Sequence, residues 1–460
     1  MNVGFATRDI TPEPGITLSG FAARCNAPSE GVDDPLSVFA LALEQGAGVL
    51  ILVFDLLGLG AEITEEIQAA LDECPGMAPR AQRILCCTHT HSAPATVTLL
   101  GCGIPEPTYW RRVVTAAVEA ARDACARLQP ATLRMAAIPL PGANYNRRRV
   151  LVDGRVVMAQ HPPAPVAKVG PTWDFLHLLR FDDAYGRPIA GAAHWATHPC
   201  TVCTRHISAD YPGELRRGLA ARFNMPFLFL QGACGNLNPP FEEMTRSTML
   251  RNVAEVLGRI ETVTWSPEIT PDPFTLSALT VPLPYSPRLE QAALKAIQQA
   301  MARLADTGEC AEETVAAYGN ILNVKAGERV DPLLLRHIAG CMRDWSAAAL
   351  ADTRTTCDIA LHVLRLGRLV LCGVAAEPFV ETALELQARF PRDTVLLLGY
   401  ASPVVGYLPT DDALDEGGYE AESAYRFYAH PASFARGAES LVREALAAAI
   451  RAGSAESIRR

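Results

Sequence analysis

Two histidines that directly follow an apolar segment are the first residues here whose types and spacing suggest chemistry. Residues 84–87 (ILCC) have the apolar character of a buried strand, and the motif THTHS places His89 and His91 two positions apart. Alternate residues of an extended chain project to the same side. The two imidazoles can therefore share a metal ion, or one can bind the metal while the other transfers protons. The alternative is a pair of histidines held by ordinary hydrogen bonds at the start of a loop.

Two further strand ends carry residues of the same chemical class. The predicted strand 189–196 ends just before His198, and the predicted strand 369–374 ends just before Glu377. Each of these two residues is followed by proline, which stops regular pairing. Because strand ends on one side of an α/β sheet form the ligand crevice, we expect His89, His198 and Glu377 to meet. Two imidazoles and one carboxylate are a common ligand set for a catalytic zinc ion that keeps an open position.

A competing hypothesis places the metal within one short segment. Four potential ligands lie close together in the sequence and could form a structural Cys2His2 zinc site: His198, Cys200, Cys203 and His206. The spacing of these four residues is loose, and Cys-x-x-Cys arises easily by chance in a chain with 13 cysteines. We therefore favour the site built from three separate strand ends.

Alternating strand and helix patterns predict the framework that must position these residues. The pattern favours an α/β fold with a mixed sheet. The predicted strands are 38–43, 49–54, 84–88, 189–196, 226–230, 359–366, 369–374 and 395–398, and the predicted helices include 109–128, 249–260, 380–390 and about 433–451.

Strand signals disappear between residues 285 and 351. A helical period begins at Leu289, and Ser286 and Pro287 are suited to the N-cap and first turn of such a helix. We interpret 285–351 as a helical insertion in a catalytic domain formed by 1–284 and 352–460.

Composition narrows the class of partner. The chain has 460 residues, of which 49% are hydrophobic and 20% charged, as in a compact globular protein. Its net charge is −9 and its basic residues are scattered, which argues against nucleic acid and against a stable membrane anchor. No secretory pattern or long apolar run is evident, so we expect a cytoplasmic protein whose partner is a small molecule. The sequence does not determine the oligomeric state.

A series of short motifs, in order along most of the chain, is similar to one known family. The motifs are THTHS (88–92), NYNRR (144–148), HWATHP (194–199), QGACGNLNP (231–239), AEPF (376–379), VVGYLPT (404–410) and GGYEAES (417–423). The sequence resembles the neutral, non-lysosomal ceramidases, which are zinc amidases that cleave the N-acyl bond of ceramide.

The resemblance implies a role for individual residues. It makes His89, His198, Glu377 and Tyr407 the zinc ligands, in agreement with the three strand ends identified above. It also implies that His91, Arg147 and Tyr419 line the substrate amide. We therefore expect metal binding by His89, His198, Glu377 and Tyr407, and catalytic roles for His91, Arg147, Tyr419 and Asn238.

Two departures from the family pattern bear on the substrate. The ceramidases have serine in a Gly-Asp-x-Ser-Pro stretch, whereas this chain has Asn238 at the matching position. Asparagine can hydrogen-bond a substrate but is not a nucleophile. The chain also ends without a match to the family's C-terminal immunoglobulin-like domain. We therefore expect a smaller and more soluble amide than ceramide.

The leading hypothesis is a ceramidase-like zinc hydrolase that cleaves an amide bond of a small N-acyl or cyclic substrate with activated water. The same chemistry would serve an esterase or lactonase. A non-catalytic binding protein on this fold, with structural zinc, is the alternative from another class.

Overall fold

The structure is a computed structural model that describes residues 1–240, 243–260, 262–308, 319, 322 and 331–455. Its architecture is mixed α/β, as predicted. None of the described helices is long and apolar enough to cross a membrane.

An eight-stranded mixed sheet forms the larger part of the molecule. Its strands are β1 (Asn2–Asp9), β2 (Ser37–Gln45), β3 (Ala47–Phe54), β4 (Arg83–Cys87), β5 (Gln129–Pro139), β6 (Phe175–Asp183), β7 (Pro188–Trp195) and β8 (Phe227–Gln231). Their order across the sheet is β8-β7-β6-β5-β1-β2-β3-β4. The pairs β3–β4 and β7–β8 are parallel and the others are antiparallel. The strands β4 and β8 are therefore the two edges.

A four-stranded sheet forms the second part. It consists of β9 (Phe274–Pro284), β10 (Thr356–Leu366), β11 (Leu369–Val374) and β12 (Thr394–Leu398), in that order. The segment that follows β12 joins this sheet to both edges of the larger one. The Gly399 N–H donates to the Gln231 carbonyl at the end of β8, and the Tyr400 carbonyl accepts from the Cys87 N–H at the end of β4.

Short strands complete the framework around the loops. Gly31–Val32 pairs with His206–Ile207, Tyr145–Asn146 with Leu237–Asn238, and Glu377–Pro378 with Tyr407–Leu408, while Arg148–Leu151, Val156–Met158 and Val166–Val169 form a small antiparallel sheet. The last of the three pairs places the predicted ligands Glu377 and Tyr407 side by side.

Helices cover the sheets. They are α1 (Ala61–Asp72), α2 (Pro107–Ala126), α3 (Asp210–Phe223), α4 (Arg246–Gly258), α5 (Gln291–Thr307), α6 (Pro332–Ala351), α7 (Val380–Arg389), α8 (Asp411–Glu416), α9 (Ala424–Phe427) and α10 (Ala438–Ala455), with 3₁₀ turns at Ala22–Arg24 and Arg80–Gln82 and a π-helical turn at Tyr419–Ser423. Helix α2 packs on β1 and β2, α3 on β8, and α10 on β9 and β10. One apolar core runs through both sheets.

Helices α5 and α6 pack against each other and have a separate apolar core that includes Met301, Met342 and Trp345.

The start predicted for the first of these helices is wrong, because α5 begins at Gln291 rather than at Ser286. Much of the segment between the two helices lies outside the described residues. The final helix likewise begins at Ala438, several residues after the predicted start.

Candidate metal centre

Three imidazole nitrogens and one carboxylate oxygen converge at the strand ends. The Nε2 atom of His198 lies 3.1 Å from Nε2 of both His89 and His91, which are themselves 3.3 Å apart. Oε2 of Glu377 is 3.2 Å from His89 Nε2 and 4.0 Å from His198 Nε2. Within the described part of the chain, these three histidines are the one group of His, Cys, Asp or Glu residues close enough to share a metal ion. The structure thus brings His89, His198 and Glu377 together and places His91 beside them.

His89 is aimed into this centre by its backbone. It lies two residues after β4 with φ of 66°, a conformation that non-glycine residues rarely adopt. Its N–H donates to the Leu56 carbonyl, and its Nδ1 is 2.7 Å from the Leu57 carbonyl oxygen. A carbonyl oxygen can only accept, so Nδ1 carries the proton and Nε2 presents a lone pair to the centre.

His198 follows β7 and is oriented in the same way. Its N–H donates to the Leu237 carbonyl, and its Nδ1 donates to the Cys234 carbonyl at 3.1 Å. Both carbonyls belong to the loop after β8, which contains the QGACG motif. Gly235 in that loop must be glycine, because a Cβ atom there would lie 2.7 Å from the Glu377 carbonyl oxygen. The glycine lets the loop approach the short strand that carries Glu377.

Glu377 is held by two tyrosine hydroxyls. Tyr428 donates to Oε1 at 2.5 Å, and Tyr400 donates to Oε2 at 3.5 Å. The ring of Tyr400 also stacks on the imidazole of His89, with centroids 3.9 Å apart. Since the carboxylate is only 2% exposed, these two contacts fix which oxygen faces the histidines.

This donor set fits a divalent cation. Burial is the largest cause that lowers the pKa of both His91 and His198 well below the ordinary value, so both imidazoles are neutral near pH 7. Lone pairs of His89 and His198 and a carboxylate oxygen then face one another at short range, an arrangement that a cation between them would stabilise. Imidazole and carboxylate ligands suit zinc among the common metals.

Arg147 organises the polar groups beside the centre. Its Nη2 donates to the Tyr407 hydroxyl at 2.9 Å, its Nε to Glu420 Oε1 at 2.9 Å, and its Nη1 to Asn238 Oδ1 at 3.4 Å. Glu420 is buried and also accepts from Arg148 at 2.8 Å. Although burial opposes it, contact with Tyr407 and Glu420 raises the pKa of Arg147, so the guanidinium stays charged. Three predicted site residues therefore share one hydrogen-bond network.

Tyr419 lies beside this network, in contact with Tyr407. Its ring is 5.8 Å from that of Tyr407 and 6.4 Å from that of Phe427. Burial raises the pKa of the Tyr419 and Tyr407 hydroxyls, so both retain their protons when no metal is bound. Both residues are half-buried, and the contact between Tyr407 and Arg147 connects this aromatic pair to the network.

His91 differs from the other two histidines in its surroundings. Its Nδ1 is buried and makes no hydrogen bond of ordinary geometry to any residue that the structure describes, and a backbone contact with Gly20 only partly offsets the effect of burial on the His91 pKa. Gly20 lies directly against its ring, and the Phe21 ring is 5.0 Å away. Arg24 donates to the His91 carbonyl at 2.6 Å and so anchors the backbone rather than the imidazole. The ring of His91 is thus held by packing, whereas those of His89 and His198 are held by backbone carbonyls.

The competing Cys2His2 site does not form. His206 turns away and its Nδ1 lies 2.8 Å from Asp33 Oδ1. The Cys200 thiol lies 3.8 Å from Asn238 Oδ1, and burial raises its pKa to about 12. All 12 cysteines in the described residues are free thiols.

Sequence reasoning missed the residues that contact the predicted site residues, namely Glu420, Tyr400 and Tyr428. A signal for Glu420 exists: two adjacent arginines after a buried segment, Arg147 and Arg148, require a buried acid to balance them. Tyr400 lies just beyond a strand end, as His89 does, but tyrosine alone gives no indication of a supporting role.

The fold and the converging donors define a mixed α/β protein with a candidate metal centre at its strand ends. No family model matches the sequence, and no curated protein is significantly similar to it. Among solved structures, the chain is similar to neutral ceramidase from Pseudomonas aeruginosa, with a TM-score of 0.63 and 18% identity over 98% of this chain and 74% of that one. It is similar also to a ceramidase complexed with C2, with a TM-score of 0.65 and 18% identity over 98% of this chain and 75% of that one. The chain therefore has the neutral ceramidase fold, which confirms the resemblance seen in the motifs.

Proposed function

We propose that this protein is a zinc-dependent hydrolase that cleaves the amide bond of a small N-acyl or cyclic amide. The observation that carries the proposal is the convergence of His89, His198 and Glu377, with both imidazoles fixed by backbone carbonyls so that their Nε2 atoms face one another. A net charge of −9 with scattered cations supports a small-molecule substrate rather than nucleic acid.

Four side chains would hold the metal, namely those of His89, His198, Glu377 and Tyr407. When bound, zinc supplies a Lewis acid that polarises the scissile carbonyl and lowers the pKa of a water molecule to about 7. Tyr407 lies next to Glu377 in the short parallel pair, and the Arg147 contact to its hydroxyl favours negative charge on that oxygen. Tyr407 is thus suited to serve as an anionic ligand despite its burial.

His91 is assigned to proton transfer. Its Nε2 lies next to the same centre, yet its Nδ1 has only the Gly20 backbone contact in place of the well-formed carbonyl hydrogen bonds of His89 and His198. A neutral imidazole whose tautomer is not held by a well-formed hydrogen bond can accept a proton from the attacking water at Nε2 and return it to the leaving nitrogen.

Two side chains, those of Tyr419 and Asn238, would bind the reacting amide. Arg147 would orient the groups around it. The Tyr419 hydroxyl is protonated and can donate to the oxygen that gains charge in the tetrahedral state. Arg147 keeps Tyr407 and Asn238 in register through the contacts described above. The Asn238 side chain, which takes the place of the ceramidase serine, can hydrogen-bond the substrate but cannot attack it.

We further propose that 1–284 and 352–460 form the catalytic domain and that 285–351 is a helical insertion bordering the site. The support is that α6 contacts two loops next to the centre. The His337 ring nitrogen Nε2 is 2.8 Å from the Gly101 carbonyl oxygen, and the Trp345 indole donates to the His430 carbonyl at 2.8 Å. Leu100 and Phe427 pack against the same helices, which supports an insertion that borders the site.

The test is hydrolysis of paired substrates by the zinc-loaded protein. Amides and esters with the same acyl group are compared over several acyl lengths, and we expect turnover of amides. Turnover of esters alone would reject the amidase assignment in favour of an esterase. Full zinc occupancy without turnover of either class would favour a non-catalytic binding protein.

A further inference from the structure

The candidate metal centre lies across a seam in the large sheet. Its two edge strands, β4 and β8, approach each other, but no β ladder joins them among the residues that the structure describes. His89 follows β4 on one side of the seam, whereas His198 follows β7, which pairs with β8 on the other side. The distance between the two imidazoles therefore depends on whatever joins the two edges.

Besides the backbone of Gly399 and Tyr400, one buried side chain joins them. Gln231, at the end of β8 and 1% exposed, directs its amide nitrogen Nε2 to the carbonyl oxygens of Thr88 and Thr197, each at 3.1 Å. Its Oε1 accepts from the Gly232 N–H at 3.1 Å. The Tyr211 hydroxyl, which donates to the Thr197 carbonyl at 2.6 Å, lies 3.4 Å from the same Nε2. Both hydrogens of the amide are therefore used on the two sides of the seam.

The two carbonyls have a special position in the sequence. Thr88 immediately precedes His89, and Thr197 immediately precedes His198. Because each carbonyl belongs to the peptide plane that carries the next residue, fixing the carbonyl fixes the direction in which the histidine leaves the strand. A side-chain amide has two N–H donors on one atom, which lets it bind two carbonyls at once.

We propose that Gln231 is a positioning residue that sets the spacing of His89 and His198, and thereby the affinity of the centre for a divalent metal ion. The inference rests on the proposed metal centre but not on any hydrolytic activity. Partners in the shell outside metal ligands typically change metal affinity by about 10- to 100-fold when they are removed. We expect an effect of that size here.

The test is the zinc dissociation constant of Gln231→Met, measured by competition with a chromogenic chelator on the folded full-length chain. Methionine keeps the length of the side chain and removes its hydrogen bonds. Gln387→Met is the matched control, because Gln387 Nε2 also contacts two carbonyls, at 3.0 and 3.4 Å, and its Oε1 accepts from Val395, in a region that does not contact the centre. We expect weaker zinc binding by about 10- to 100-fold for Gln231→Met and no change for Gln387→Met, although both variants lower the melting temperature.

Equal zinc affinity in wild type and Gln231→Met, with a lowered melting temperature, would show a purely structural residue and overturn the inference. If Gln231→Met does not fold, Gln231→Asn decides, since it keeps a side-chain amide but shortens it by one methylene, so that the amide cannot hold both carbonyls as Gln231 does. Several-fold weaker zinc binding in Gln231→Asn supports the inference, and unchanged binding rejects it. A wild-type protein that binds no zinc would overturn the inference and the proposed function together. Zinc binding that depends on Gln231 in a protein that hydrolyses nothing would reject only the proposed function.

Discussion

The environment of the second ring nitrogen distinguishes the three clustered histidines. His89 and His198 each donate from Nδ1 to a backbone carbonyl, whereas Nδ1 of His91 makes no hydrogen bond of ordinary geometry in the described structure and has only the backbone of Gly20 beside it. A ligand imidazole is normally fixed in this way by a group outside the metal shell. The difference supports a division of labour in which two histidines bind metal and the third transfers protons.

This division predicts opposite behaviour for two alanine variants. His198→Ala should lose zinc, with affinity reduced by more than about 100-fold, because a direct ligand matters more than an outer partner. His91→Ala should retain about one zinc per chain and lose turnover by about 10²- to 10⁴-fold, the usual contribution of a general acid or base. Elemental analysis and steady-state kinetics on both variants measure these effects.

His206→Ala is the control for that experiment. Its imidazole contacts Asp33 and lies outside the cluster, so zinc content and turnover should remain at wild-type levels. Loss of zinc from His91→Ala would make His91 a third imidazole ligand. Loss from His206→Ala would revive the local Cys2His2 hypothesis.

The sequence predicted the residues whose chemistry is evident from type alone. A His-x-His pair, and a His or Glu that follows a strand and precedes proline, can be recognised from residue type and spacing. The supporting groups could not be recognised in this way. Gln231 contacts a carbonyl on the opposite strand edge, which is close to it only in the folded protein. Glu420 is important because two guanidinium groups are buried beside it.

At the scale of elements, the loop after β1 contributes to the site by its shape. Gly20 in that loop has φ of 100° and lies against His91, so that a Cβ atom there would be 2.6 Å from Cγ of the imidazole. Gly15 in the same loop has a similar φ of 111° with no atom within 4 Å of the corresponding Cβ position. The two glycines therefore separate the effect of backbone conformation from the effect of contact with His91.

We expect Gly15→Ala to lower the free energy of unfolding by about 1–2 kcal/mol because it places alanine at positive φ, and Gly20→Ala to lower it further because its Cβ must also displace the His91 ring. Only Gly20→Ala should also displace His91 and reduce turnover, by about 100-fold if the ring moves by about 1 Å. Denaturant unfolding and steady-state kinetics on both variants provide the measurements. Equal turnover in the two variants would mean that Gly20 does not position the imidazole.

Elements with a continuous apolar run were predictable, whereas those with mixed surroundings were not. The strands 49–54 and 369–374 were predicted within a few residues of β3 and β11, because they are buried on both faces. Strand β9 was missed, since its burial alternates and it carries two prolines, Pro282 and Pro284. The start of α5 was misplaced for a specific reason. Ser286 uses its N–H and hydroxyl to contact the Ser433 and Phe434 carbonyls instead of capping the helix.

At the scale of the whole molecule, the large sheet contains a pair of buried histidines that play no part in the centre. His177 and His194 are direct partners on β6 and β7, beside Trp173. Burial lowers the pKa of His177 to about 3 and that of His194 to about 4. Both rings are therefore neutral in the folded protein at pH values where an unfolded chain would bind protons.

This pair predicts a loss of stability in mild acid. Below the ordinary histidine pKa of about 6.5 the unfolded state gains a proton that the folded state does not, so the free energy of unfolding falls until the pH reaches the lowered folded-state values. Replacing His177 by phenylalanine keeps a ring in place and removes one titrating group. We expect the dependence of unfolding free energy on pH between 6 and 4.5 to become shallower by about 1.4 kcal/mol per pH unit.

Urea unfolding of wild type and His177→Phe at several pH values in that range measures the difference. His161→Phe is the control, because His161 is exposed and its ring is in water in both states. A slope in His177→Phe equal to that of wild type would show that this histidine does not contribute to acid sensitivity.

The seam between β4 and β8 also has a consequence for the order of folding. The groups that meet there come from the first, middle and last parts of the chain: His89, His198, Gln231, Glu377 and Tyr400. Contacts between residues so distant in sequence form late, because the entropy of closing long loops opposes them until the intervening elements are in place. We therefore expect zinc uptake to coincide with the slowest phase of refolding. Zinc binding would then indicate that the fold is complete and would not initiate folding.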